Sequence, residues 1–261
     1  MTDLLTIGND AKTILGVEHG VETGVQYLKP HKQSGIANVC AYASEACAQA
    51  CIDTAGRMQM DSATNARQNR TELFMLHREQ YFIQLIAEIK RLRRRAERRG
   101  MIPTIRLNGT SDMLWEKTPV RINGVKIANN IMELFPDVQF YDYTKYPYAK
   151  RPTESLPANY DLTFSRSETN EHEVLENLRN GRRVAVVYST KPHGTPPKRY
   201  HAVDGSRWKV INGDLSDIRF NDPNGVVVHL YAKGKARKDT SGFVVQRGRT
   251  RSAISRKGRQ S

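Results

Sequence analysis

The sequence predicts an α/β protein: a partial (β/α) barrel with a helical, cysteine-bearing N-terminal part and a flexible, basic C-terminal tail. Three observations lead there. From Met101 onward short apolar runs alternate with helical stretches, the pattern of βα units around a parallel sheet, open or curled. Residues 61–99 contain no Gly or Pro and repeat apolar side chains at helical intervals, so a long helix or a pair of helices precedes that alternation. All three cysteines fall within Cys40–Cys51, a clustering that asks for a physical cause.

Residues 1–35 hold short apolar pieces, at Thr13–Gly16 and Gly24–Leu28, that read as strands or extended arms leading to the cysteine loop. Ser44 followed by Glu45 is an N-cap with an acidic first turn, which starts a helix between the first and second cysteines. The long helical stretch from Asp61 ends at Gly100, with His77 on its apolar side as a core histidine. Strands are expected at 102–107, 138–141, 160–164, 184–188, 208–211 and 226–230, and helices at 125–135 and 171–180. This gives one α/β domain over 1–235, divided into a cysteine loop and long helix (1–100) and a βα half (101–235), followed by a flexible segment over 236–261 in which only Gly242–Gln246 resembles a strand.

The cysteine spacing, C-x6-C-x3-C, admits two arrangements. With Cys40 in a loop and Cys47 and Cys51 four apart on one helical face, all three reach one metal centre. On one uninterrupted helix they would instead form a buried stripe of small apolar side chains. Structural zinc needs a fourth ligand, for which His31 is the nearest upstream histidine, whereas an iron–sulfur cluster on three thiolates leaves one iron open to a small molecule.

Polar residues of the C-terminal half gather where the expected strands end. Asn108, Ser111 and Asp112 follow the first strand, Asp142, Tyr143 and Lys145 the second, and Ser165, Ser167 and Glu168 the third, with Tyr188, Asp214 and Lys233 further on. In parallel α/β folds these ends form the binding face, so the residues are expected to converge on one pocket. No phosphate loop, G-x-G-x-x-G fingerprint or G-x-S-x-G elbow occurs, which argues against nucleoside-triphosphate and serine-hydrolase chemistry.

The formal net charge is +14, and it sits in two places. Lys90–Arg99 carries seven Lys or Arg against Glu97, and residues 232–261 carry ten against one Asp. Both segments suit a polyanion such as nucleic acid, or alternatively a solvated helix face and a solubilising tail. No apolar run approaches a membrane span and the first residues lack a signal-peptide pattern, so no membrane partner and a cytoplasmic location are expected; oligomeric state is not legible.

Several motifs together resemble a bacteriophage family, the gene-product-88-like domain. They are Ser34-Gly35-x-x-Asn38-x-Cys40 continuing through Cys47 and Cys51, Ala55-Gly56-Arg57, Asn65 with Arg70-Thr71, Arg106-Leu-Asn-Gly-Thr-Ser-Asp112, Phe135 through Lys145, and Leu162-Thr-Phe-Ser165. The match spans roughly residues 25–235 and implies residence in the cytoplasm of the infected bacterial host. The layout is also similar to divergent radical-SAM proteins, although those usually show C-x3-C-x2-C. That likeness implies a [4Fe–4S] cluster on Cys40, Cys47 and Cys51 with S-adenosylmethionine on its open iron. On an enzyme reading, the strand-end residues Asp112, Asp142 and Lys145 are expected to be catalytic, and Asn108, Ser165, Ser167 and Glu168 to contact cofactor or substrate. The alternative is a non-enzymatic, zinc-stapled, nucleic-acid-binding phage accessory protein.

Overall fold

The computed structural model describes residues 2–8, 11–192 and 194–246. The chain begins with strand β1 (Leu5–Ile7), helix α1 (Ala11–Glu18) and strand β2 (Val21–Gln26), then the short cysteine helix α2 (Glu45–Gln49). Helices α3 (Asp61–Leu76) and α4 (Arg78–Arg98) come next, then β3 (Ile102–Arg106), β4 (Val120–Ile122), β5 (Val125–Ala128), β6 (Gln139–Thr144) and β7 (Tyr160–Ser165). Helix α5 (Glu171–Arg179) and strands β8 (Val184–Tyr188), β9 (Arg199–His201), β10 (Arg207–Asn212) and β11 (Val227–Tyr231) complete the order.

Nine strands form one sheet in the order β1-β2-β3-β6-β7-β8-β11-β10-β9. The seven from β2 to β10 are mutually parallel, and only the edge strands β1 and β9 run antiparallel. The mixed α/β class is therefore as expected. Two free edges remain, at β1 and β9, and no barrel closes among the described residues.

One sheet face is dry. The buried stripe of α4 (Tyr81, Phe82, Leu85, Ile89, Leu92) packs with Ile105, Leu107 and Phe140, and α5 covers β7 and β8 through Val174, Leu175 and Leu178. The other face is polar and is crossed by the segment between β10 and β11. Arg106 pairs with Asp217, Phe220 meets the Tyr141 ring edge-on at 5.3 Å, and Arg183 reaches both Asp161 and the Asp222 carbonyl.

Four local expectations need correction. Residues 11–18, which include Thr13–Gly16, are helical. The helix expected over 125–135 begins as a strand, because Asn123 (φ 49°) and Gly124 (φ 74°) build a tight β4–β5 hairpin turn that favours this dipeptide. The helical stretch is a pair of helices, one of the two arrangements expected, but His77 lies at their break with non-helical torsions (φ −132°, ψ 54°), exposed instead of in the core. The expected flexible segment starts too early: Ala236, Phe243 and Val244 are buried against Ala46 and Ala50 of α2, and Val245 bridges Tyr188 in parallel. The remainder of that expectation, residues 247–261, lies outside the described residues.

Candidate functional site

A cavity of about 300 Å³ opens at the C-terminal edge of the parallel strands. One wall is the cysteine segment, with Cys40, Ala43, Cys47, Ala50, Cys51 and Ile52. The floor and opposite wall come from the strand ends, including Arg106, Asn108, Asp112, Tyr143, Lys145, Ser165, Asp214, Asp217 and Lys233, with Phe243 closing one side.

The cysteine wall is fastened locally and at long range. Ser44 caps α2, its hydroxyl accepting the Cys47 amide at 3.2 Å, as the sequence predicts. Glu168, beyond β7, accepts the Ser44 hydroxyl at 2.7 Å and the Ala46 amide at 3.3 Å, adding a carboxylate at the helix start. The Cys40 loop is tied to the turn after β3: Asp112 donates its amide to Val39 O at 2.8 Å, and the Cys40 thiol lies 3.7 Å from Thr110 O. At Gly234, φ is +53° and an added Cβ would meet Thr54 Oγ1 at 2.6 Å, so the chain after β11 approaches the cysteine segment as only glycine allows.

Burial pushes the Cys40 thiol up to about 12, opposed by the His31 amide, which donates to its sulfur at 3.4 Å, and assisted by Asp112 and Cys47. Cys51 is raised further, first by burial and then by Asp53. Cys47 acts electrostatically on both neighbours, so the three sulfurs share one locality. The Cys40 and Cys51 thiols hold their protons at neutral pH unless a metal displaces them. Among the described residues no three His, Cys, Asp or Glu side chains close around one point as the ligands of a single ion do, and His31 does not line the cavity. This wall offers three sulfurs to the cavity, and as placed they do not converge as the ligands of one metal ion do.

The residues expected at the site divide into two groups. Cys40, Cys47, Cys51, Asn108, Asp112, Lys145 and Ser165 line the cavity, together with Ser111, Tyr143, Asp214 and Lys233. Asp142, Ser167, Glu168 and Tyr188 do not. Asp142 lies beneath the floor, 1% exposed, accepting the Asn108 amide at 2.9 Å and the Tyr160 hydroxyl at 3.1 Å. Burial raises it to about 7, against the pull of Arg106, so it supports the turn above it. The Ser167 amide donates to Asn170 Oδ1 at 2.6 Å ahead of α5, and Glu168 holds the cysteine helix. Asn108 shapes its own turn, its Oδ1 accepting from Ser111, Met113 and Trp115.

Two arginines organise this edge; Arg106 opens a motif read in the sequence without a role, and Arg151 is not singled out there at all. Arg151, fully buried, binds Glu116 through two donors at 2.7 and 2.9 Å and Asp112 at 3.2 Å, and also reaches Thr144 and Tyr160. Asp112 accepts the Lys145 amide at 2.7 Å with its other oxygen. Burial raises the Asp112 carboxyl and Arg151 opposes it. Arg106 lies over the Tyr141 and Tyr143 rings at 5.5 and 5.0 Å while pairing with Asp217. Isolated Arg residues look the same in sequence whether exposed or buried.

The fold and cavity define an α/β protein with a mostly parallel sheet and a thiol-walled site at its C-terminal edge. The family model described as gene product 88 matches residues 4–247, and the chain belongs to this family, a bacteriophage gene-product family. No curated protein and no solved structure matches.

The described parts of the two expected basic segments lie at opposite ends of the sheet. Lys90–Arg99 ends α4 just before β3 starts, at the N-terminal edge, and four of its cations are paired: Arg91 with Asp3, Arg93 with Asp137, and Arg95 and Arg99 with Glu22. Lys233, Lys235, Arg237 and Lys238 come after β11 at the cavity edge. No helix among the described residues is long and apolar enough to cross a membrane.

Proposed function

We propose that the chain is a phage iron–sulfur protein with radical-SAM-like chemistry, acting on or near nucleic acid in the cytoplasm of the infected bacterial host. The observation that carries this is the position of the thiols: Cys40, Cys47 and Cys51 come after the first parallel strand and line one cavity with residues from the ends of the others. The sequential order β2-β3-β6-β7-β8-β11 supports a partial (β/α) barrel as the frame.

The three cysteines would hold a [4Fe–4S] cluster, whose open iron and electron would supply reductive cleavage of bound S-adenosylmethionine and a carbon-centred radical. The chain's own residues fix the wall and exclude water. Ser44 and Glu168 anchor the helix of Cys47, and Cys51 follows just beyond its C-terminal end. Asp112 sets the backbone at Lys145, whose ammonium donates to Ser165. Ala43, Ala50, Ile52, Leu230 and Phe243 provide the apolar lining that a radical site requires.

Nucleic acid would approach along the basic stretch after β11 and the residues beyond it, since Lys90–Arg99 is at the far edge. A zinc staple has less support, because it needs a fourth ligand that the thiol wall does not supply. Anaerobic reconstitution with iron and sulfide, then incubation with dithionite and S-adenosylmethionine, tests the reading. Release of deoxyadenosine by the wild type and not by Cys47→Ala is expected; no release by either would sink it.

A further inference from the structure

Two cations lining the cavity, Lys145 and Lys233, form no close ion pair, although they act at longer range on Asp112 and Asp214. Asp217 pairs with Arg106, and Asp112 shares Arg151 with Glu116. Asp214 accepts the Tyr231 amide at 3.0 Å and lies 3.7 Å from the His229 ring. On the cationic side, Lys145 donates only to neutral oxygens: Ser165 Oγ at 2.7 Å, Ser165 O at 3.3 Å and Arg166 O at 3.4 Å. Lys233 lies 4.5 Å over the Tyr231 ring. Neither lysine has an ion-pair partner among the described residues.

Neutral acceptors satisfy an ammonium's donors without balancing its charge, so a half-buried lysine held this way is a standing attraction for an anion. A second observation points to the same space. Arg106 is 1% exposed and lines the cavity, yet its Nε has no hydrogen-bond partner. A buried guanidinium donor without an acceptor is costly in a molecule that stays without a ligand.

We propose that the cavity binds an oxyanion group, carboxylate or phosphate, of its substrate between Lys145 and Lys233 and above Arg106. Lys145 extends from the end of β6 to that of β7, and Lys233 comes after β11, so the two ammonium groups flank β8. With strands about 4.8 Å apart, the span from β7 to β11 is roughly 10 Å, room for one tetrahedral or planar anion with a donor on each side. The assignment does not depend on the metal: none of its three cations is a thiol or a metal ligand.

The test is calorimetric titration of the full-length protein, as purified anaerobically and after chelator treatment, with inorganic phosphate and with malonate at constant ionic strength. Saturable binding of at least one anion is expected in both samples. Phosphate binding more tightly indicates a phosphoryl ligand, and malonate binding more tightly a carboxylate ligand. Lys145→Met and Lys233→Met should each weaken binding at least tenfold, while the exposed pair Lys90→Ala/Arg94→Ala, at the far edge of the sheet, stays within twofold. Lys233 makes only a ring contact, so its variant folds even if Lys145→Met does not. Absence of saturable binding in both samples overturns the proposal, as does equal weakening by the exposed pair. If the metal proposal alone fails, binding by the chelator-treated sample is unaffected.

Discussion

Glu168 and Ser44 meet across 124 residues of chain, the carboxylate accepting the hydroxyl at 2.7 Å while its second oxygen takes the Ala46 amide. This pair fixes the helix of Cys47 to the end of β7. Glu168→Ala should destabilise the fold by about 1–2 kcal/mol, the usual cost of a lost cap or charge-assisted bond. Iron retained after anaerobic purification should fall as well. Urea titration and iron analysis check the two effects separately, and an unchanged iron content would show that the cap does not position the thiols.

Arg151 is the buried centre of the cavity floor. Arg151→Met leaves Glu116 and Asp112 buried without their cation and should cost about 3–5 kcal/mol in urea unfolding. Arg151→Lys should recover little, since one ammonium cannot replace the two-donor grip on Glu116.

Asp142 gives the fold a pH dependence. Burial raises its folded value to about 7 from an ordinary 3.8, so the neutral carboxyl is favoured in the native state. Its contribution to stability is full below the unfolded value and is lost as pH rises through 7, at about 1 kcal/mol per pH unit between 4 and 7. Subtracting the unfolding free energy of Asp142→Asn from that of the wild type across this range should reveal that slope. A flat or opposite difference would contradict the assignment.

Truncation separates the structural from the electrostatic part of the C-terminal segment. Ending the chain after Gln246 removes six Arg or Lys but none of the described contacts, so the melting temperature should hold while the salt dependence of DNA or RNA binding becomes shallower. Ending it after Lys238 removes Phe243 and Val244 from α2. Burial of the Phe243 ring alone is worth about 2–3 kcal/mol, and the cysteine helix should loosen.

Much of the site is legible in the sequence because it obeys backbone rules. Alternating apolar runs mark the parallel strands, and polar residues at their ends have to share one edge; Asn108, Asp112, Lys145 and Ser165 do. Which polar residue faces the cavity is not legible, because adjacent strand residues point to opposite faces and each turn reorients the chain beyond it. Asp142 thus lies under the floor while Tyr143 and Lys145 face the cavity. Glu168 shows a second limit: an acid after a strand end serves equally to cap a distant helix, and only the tertiary approach of α2 decides. Asn123-Gly124 announces the hairpin, yet the apolar spacing over 125–135 also fits the helical period and points the other way. Phe243 and Val244 are two core side chains masked by the basic composition around them.

The central claim is that Cys40, Cys47 and Cys51 together hold a [4Fe–4S] cluster at the cavity mouth. Iron and sulfide analysis of the anaerobically purified protein, with its visible absorption spectrum, tests this most directly. About four irons per chain and a thiolate-to-iron charge-transfer band are predicted, with both lost on replacing any one of the three cysteines by Ala. A colourless, iron-free protein whose stability is unchanged in Cys47→Ala would contradict it.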